Sequence, residues 1–439
     1  MDIIVVLQSL SQCFDQTTLH QLNCIVSGML AMTGRVTMLG ISRWTEKGGS
    51  YRTIQRFYHT VINWSQVHWV FIRHHLLDRD DIILLGGDET VVTKAGDKTY
   101  GLDRFFSSLY GKPVPGLAFF GLFLISVKHR HSYPVMMEQV IKQKAAPTEQ
   151  KLGQSVKLPA PKRKCGRPQG SRNKNRREVE LSPALIQIQQ MIKALLALIG
   201  LDLNLVYCVL DGAFGNNYAL QMIRQCSLHL VSKLRHDAAL YFPYEGPQNK
   251  SGPRKKYGHK LDYKNLPKQY LKATTFKKRM QTDIYQMFIW HKRLADPLNV
   301  VIIVKTNLNT QAQAHVVLFS SDLNLAYDHL IDYYCLRFQL EFNFRDAKQF
   351  WGLEDFMNIK QCPVYNAANL AMLMVNLSQV LLQQFRPTCP AFSVNDLKAY
   401  FRGRKYVTET LKLLPQMPEP IFIDQIYAHI VQIGRINAA

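Results

Sequence analysis

Along residues 1–77 apolar side chains recur at helical spacing, and Gly48-Gly49-Ser50 interrupts them. Ser50 then reads as the N-cap of a short helix over residues 51–58, which offers Arg52, Gln55 and Arg56 to solvent. A compact helical module with a basic helix can enter a DNA groove, and an ordinary amphipathic helix would look the same. The pattern changes at residue 81. Residues 81–88 read as a strand ending at Asp88, and residues 116–127 and about 133–138 read as further strands. Helical periodicity returns over 183–199. A buried strand over 203–210 runs into Asp211-Gly212-Ala213-Phe214-Gly215, followed by a short helix over 217–224 and a strand over 227–234. A helix is expected from about 327 to 350. Beyond about 361 the chain is mostly helical, with a long apolar helix over 367–382. Three adjacent strands followed by alternating helix and strand predict a mixed α/β sheet.

Two stretches interrupt this order. Residues 141–180 are polar and basic with few apolar positions, which predicts a flexible loop. Residues 234–325 begin with a run of lysines and continue with strand-like segments at 284–290 and 300–305, read as a small β-rich subdomain. The expected organisation is a helical DNA-binding region at 1–78, a first core segment at 79–233 containing the basic loop, a basic and β-rich insertion at 234–325, a second core segment at 326–355, and a helical region at 356–439. The last either dimerises or packs against the core, and the residues leave both open.

Composition narrows the class. The 439 residues are 47% hydrophobic, enough for a sizeable globular core. Lys and Arg number 54 against 32 Asp and Glu, a formal charge of +22, which points to a polyanionic partner, most simply nucleic acid. The cysteines at 13, 24, 165, 208, 226, 335, 362 and 389 form no Cys-x-x-Cys pair and no zinc spacing. No basic stretch precedes the apolar residues 3–7, and the longest apolar run, 117–127, is too short to span a bilayer. A soluble, cytoplasmic protein without a membrane partner is expected.

The candidate chemistry lies on the helix expected at 327–350. Tyr334, Arg337, Glu341 and Lys348 stand at relative positions zero, three, seven and fourteen. At about 100° per residue they share an arc of roughly 60°. One stripe therefore carries a carboxylate, two cations and a phenol. Such a stripe is commonly a solvated face with internal ion pairs. Here Asp88 and Asp211, each at the end of an expected strand, add two carboxylates that can converge with Glu341 at one sheet edge. Convergent carboxylates repel unless cations intervene, which suits divalent metal and phosphodiester chemistry. Taken singly, an Asp at a strand end is usually a turn or cap residue. Glu89 rivals Asp88 but faces the other way along a strand, and Asp346 points off the stripe. Asp97, Asp103 and Asp332 have less defined settings.

Tyr334-x2-Arg337-x3-Glu341-x6-Lys348 resembles the Tyr-Arg-Glu-Lys signature of one branch of bacterial insertion-sequence transposases in the DDE superfamily. Asp211 in Leu210-Asp211-Gly212-Ala213-Phe214-Gly215 is similar to the family's second catalytic position, and Asp88-Glu89-Thr90 to its first. The long gap from Asp211 to Glu341 resembles the β-rich insertion of that branch. The resemblance covers roughly residues 45–360. It implies an α/β, RNase H-like catalytic core with a β-rich insertion, flanked by helical N- and C-terminal regions. By it, Asp88, Asp211 and Glu341 would coordinate two Mg²⁺ or Mn²⁺ ions, and Tyr334, Arg337 and Lys348 would grip phosphates near the cleaved end. Arg forks onto phosphate, Lys adds a point charge and a phenol donates one hydrogen bond, so the residue types suit that role.

The implied reaction is hydrolysis at the element's end, then attack of the freed 3′ hydroxyl on target DNA. The implied partners are transposon-end DNA, target DNA and a second copy of the chain in a paired-end complex. Trp290, the one Trp of the insertion, would stack on a flipped base or serve as a core aromatic. Gly166-Arg167-Pro168 with its basic flanks resembles an AT-hook, with Arg167 in a narrow A·T minor groove, unless the loop is simply polybasic. A catalytically silent DNA-binding regulator and an RNase H-like nuclease with another role are the competing functions. A regulator would be expected to lack a carboxylate or the N-terminal module, and a plain nuclease would not need the Tyr/Arg/Lys stripe.

Overall fold

A computed structural model of the chain describes residues 3–46, 48–107, 110–142, 175–248 and 251–437. The chain opens with α1 (Ile3–Leu7), α2 (Gln16–Ala31), α3 (Met38–Ser42), α4 (Tyr51–His59) and α5 (Trp64–His75). Asp15, Ser50 and Asn63 cap α2, α4 and α5 by accepting from the backbone N–H of Thr18, Thr53 and Gln66. Then follow β1 (Ile83–Thr93), β2 (Asp103–Ser107), β3 (Lys112–Ser126), β4 (His131–Val140), α6 (Pro183–Ile199), β5 (Tyr207–Val209), α7 (Asn217–Arg224) and β6 (His229–Leu234). The segment after β6 holds β7 (Leu240–Pro243), β8 (Tyr257–Lys260), β9 (Leu271–Lys277), β10 (Met280–His291), β11 (Leu298–Asn307) and β12 (Gln313–Ser320). Helices α8 (Tyr327–Leu336), α9 (Phe338–Phe350), α10 (Gln361–Phe385), α11 (Val394–Leu411) and α12 (Pro420–Ile430) complete the order.

The strands join in the order β2-β3-β1-β5-β6-β12-β11-β10-β7-β8, with β4 also on β3 and β9 also on β10. β1, β5 and β6 run parallel, and the other pairings are antiparallel. The fold is therefore a mixed α/β one with a large mixed sheet, as the pattern predicts. One expectation changes. The strands of residues 234–325 do not stand apart as a subdomain, because β12 pairs with β6 and carries the core sheet onward. The reason is that β6 would otherwise present an unpaired edge, which the last strand of the segment covers.

The helical ends also meet. α2 packs on α11, while α4 and α5 pack on α10. Buried asparagines fix α10 in place. Asn366 donates to the carbonyls of Tyr58 and Thr60 and accepts from Trp64 Nε1 at 2.7 Å, and Asn376 donates to the carbonyl of Pro134 in β4 at 2.8 Å. Among the described residues no helix is long and apolar enough to cross a membrane, and the described cysteines are free.

Candidate active site

Asp88 does not end its strand. It lies inside β1, which continues to Thr93 because Glu89–Thr93 pairs with β3. The parallel neighbour β5 is short, however, and its last pair with β1 is Gly86 with Val209. Asp88 and Asp211 both stand two residues beyond that pair, so parallel register sets them side by side where β5 gives out. Asp211 caps the turn of 3₁₀ helix Gly212–Phe214, its Oδ1 accepting from the Ala213 N–H at 3.1 Å, while its carbonyl accepts from Ser232 Oγ at 2.7 Å.

Glycines bring the helix down onto this strand. A Cβ on Gly86 would lie 2.8 Å from Ile125 Cδ1 and 3.1 Å from Leu340 Cδ1. Leu340 of α9 thus rests directly on β1, and Glu341 follows it. Gly121 pairs with Asp88 in register, and there the Phe344 ring lies 3.3 Å from where a Cβ would stand. Alternation along β1 puts Asp88 on the face of Gly86, under α9, and Glu89 on the other. Adjacent glycines in a strand pattern were the signal in the sequence for such an approach.

The stripe itself differs from a single helix. Helix geometry breaks at Arg337, where the Arg337 N–H bonds the Tyr334 carbonyl at 3.3 Å and the Leu340 N–H bonds the Arg337 carbonyl at 3.0 Å. These three-residue bonds tighten the chain between α8 and α9. Arg337 then spans two carboxylates: Nη1 lies 3.0 Å from Asp88 Oδ2 and Nη2 lies 2.8 Å from Glu341 Oε1. The side chains of Arg337 and Asp88 are 16% and 23% exposed, Glu341 44%. Burial pushes the Asp88 carboxyl above its usual range; Arg337 and the Glu89 N–H pull it down, and the charges of Asp211 and Glu341 push it up again. Burial works against the Arg337 charge, but Asp88 and Glu341 outweigh it and hold the guanidinium above its ordinary value. Burial raises the Tyr334 phenol, with Arg337 opposing and Asp211 adding.

Five of the expected residues therefore share one electrostatic neighbourhood: Asp88, Asp211, Glu341, Tyr334 and Arg337. Lys348 is placed differently. Its Nζ donates to the Val91 carbonyl at 2.8 Å and pairs with Glu354 at 3.2 Å. Asp346 turns away, nearly buried and held by Arg345. Arg52 and Arg56 are exposed on α4. Trp290 is half-buried at the end of β10, with Tyr257 edge-on at 6.0 Å and Lys256 over its ring at 5.6 Å. Arg167 and the AT-hook-like loop lie outside the described residues.

The acids suit a hard cation by their chemistry. Asp211 and Glu341 each keep one carboxylate oxygen without a hydrogen bond among the described residues. As the side chains stand, no three acidic, His or Cys groups among the described residues are close enough to hold an ion together, and the Arg337 guanidinium supplies the positive charge between Asp88 and Glu341. A cleft of about 1560 Å³ opens on the far side of the turn that follows Asp211, lined by Gly215, Asn216 and Tyr218 and by Arg176, Arg235, Arg293, Glu178 and Asp237, and none of the site acids lines it. A second cleft of about 840 Å³ shares Arg176 and reaches Trp290.

Residues 9–297 match the family model of a DDE superfamily endonuclease. The chain belongs to that family. Membership carries a nuclease or transposase type of activity, and such endonucleases typically use divalent metals. The matched stretch includes Asp88 and Asp211 and ends before Glu341. No curated protein matches the chain.

Proposed function

We propose that this DDE endonuclease is a DNA transposase of the branch with the Tyr-Arg-Glu-Lys signature, built on an RNase H-like core with residues 234–325 as its insertion. One observation carries the reading: Arg337 bridges Asp88 and Glu341, 249 and four residues apart in sequence, within the field of Asp211. A purely structural ion pair would need one acid, whereas phosphodiester chemistry needs several acids and a cation together.

Asp88, Asp211 and Glu341 would hold Mg²⁺ or Mn²⁺, which when bound supplies the charge to activate a water or 3′ hydroxyl and to stabilise the leaving oxygen. The chain's own groups do the rest. Arg337 sets a positive charge between Asp88 and Glu341, and its guanidinium has the fork geometry that suits a phosphate of the cleaved end. Tyr334, whose phenol burial pushes further above its usual range, would donate a hydrogen bond to the same backbone. Lys348 adds a point charge beside the strand that carries Asp88. The partners are transposon-end DNA and target DNA, with Trp290 and its neighbour Lys256 suited to an unstacked base. Exposed Ile421, Phe422 and Ile426 on α12 suit a homodimer that pairs two ends.

The test is incubation of purified protein with labelled element-end duplex and Mg²⁺, with products resolved on a denaturing gel. Asp88→Asn, Asp211→Asn and Glu341→Gln should each remove cleavage, by at least about a thousandfold, with end binding retained. Strand cleavage persisting in any of the three would sink the assigned triad.

A further inference from the structure

The sheet has a basic corner distinct from the acids. β9 is an edge strand bonded only to β10, and nearly all of its residues are exposed. Its register ends on Lys277 opposite Met280, leaving Lys278 and Arg279 as a two-residue turn, with Lys278 at the positive φ that such a turn takes first. Lys272 precedes them on β9, and Lys305 lies on β11 opposite Thr282, which in turn faces Thr275. By alternation Lys305, Thr275 and Lys277 share one sheet face. Lys272, Lys277, Lys278, Arg279 and Lys305 are all exposed, and none makes a side-chain hydrogen bond or ion pair among the described residues. The nearest acid on these strands, Asp283, is instead taken by Thr274 and Gln281.

Lysine on an edge strand also serves to keep that edge from pairing with another chain. That accounts for Lys272 and Lys277. It does not account for Lys278 and Arg279 in the turn, nor for Lys305 on an interior strand. α8, the helix that carries Tyr334, packs on β11 and β12 beside this corner.

We propose that this corner is a second DNA contact that holds target duplex by its phosphates while the acids act. It rests on the transposase reading for the word target, but not for the DNA contact itself. Target is favoured over element-end duplex because the cations are mostly lysines, point charges without the forks or amides that read bases. A grip of that kind works on any sequence, as a target requires.

The experiment replaces Lys277, Lys278 and Arg279 together by alanine in the full chain, and in a second variant exchanges Arg279→Lys alone. Fluorescence anisotropy measures binding to a 30-base-pair duplex of unrelated sequence and to an element-end duplex over a salt series. The triple variant should bind unrelated duplex about tenfold more weakly or worse, with the log–log salt slope reduced by roughly two to three. End cleavage should stay within about twofold while strand transfer falls, and Arg279→Lys should bind as the unmodified chain does. Unchanged affinity and slope for unrelated duplex would overturn the contact. A parallel loss of end binding and end cleavage would overturn its assignment to target. If the unmodified chain cleaves no end DNA, the transposase reading fails, yet the unrelated duplex still tests the corner.

Discussion

The two wings of the one sheet are built on opposite plans. In β3, ten consecutive positions from Leu117 to Ser126 are buried, covered by strands beside it and helices above. In β9 no position is buried. The first wing has helices α5, α9 and α10 laid on it, and a continuous apolar run is what burial on both faces demands. The second wing spends its surface on lysines. The difference teaches where each part of the chemistry must sit. Carboxylates that repel one another need a rigid floor, so they stand on the covered wing. A grip on a flexible polyanion needs only exposed charge, which the open wing offers at no cost to the core.

The largest effect that would break this comparison concerns packing. Phe123 in β3 is fully buried and meets Phe344 edge-on at 5.2 Å, whereas Phe276 in β9 is 67% exposed. Phe123→Ala should lower stability by about 3–5 kcal/mol, and Phe276→Ala by no more than about 0.5 kcal/mol. Urea denaturation of both variants beside the unmodified chain measures the gap. Similar midpoints for the two variants would mean the wings are not built differently.

Much of the covered wing was legible because burial on two faces writes itself as unbroken apolar runs, and α4 and α6 follow from a cap and from periodicity. Asp88, Asp211 and Glu341 stood out as strand-end and helix carboxylates, and the structure brings Asp88 and Glu341 onto Arg337 with Asp211 in their field. Three features were not legible. The break at Arg337 has no Gly or Pro to announce it; the helix tightens there while Arg337 meets two acids distant in sequence or across a turn. The interior position of Asp88 depends on β1 continuing along β3 past residue 88, and its open side on β5 ending at Val209, properties of pairing rather than of residues 81–88. The junction of β12 with β6 is a contact across some eighty residues, which no local pattern contains.

A second effect, somewhat smaller, sharpens the contrast through pH. His68 on α5 is fully buried beside Asn369, and burial pushes its pKa from 6.5 down to about 4. The unfolded chain therefore binds a proton that the folded chain refuses between those values. The stability His68 contributes is complete above about pH 6.5 and is lost as pH falls toward 4, by on the order of 3 kcal/mol. His68→Leu should flatten the fall in Tm over that window relative to the unmodified chain. An identical pH profile in the variant would place the acid sensitivity of the covered wing elsewhere.

The smallest effect tests whether the covered wing also holds DNA. Lys348 donates to the Val91 carbonyl and pairs with Glu354, and its side chain remains 27% exposed. As a brace it would tie α9 to β1 and contribute less than about 1 kcal/mol, since the pair is partly solvated. As a phosphate contact it would release about one counterion when DNA binds. The two roles separate in one titration. Lys348→Ala should lower the log–log salt slope for element-end duplex by about one while Tm changes little. An unchanged slope with a lowered Tm would make Lys348 a brace alone. The phosphate grip would then rest on Tyr334 and Arg337, and the division of labour between the wings would be sharper than proposed.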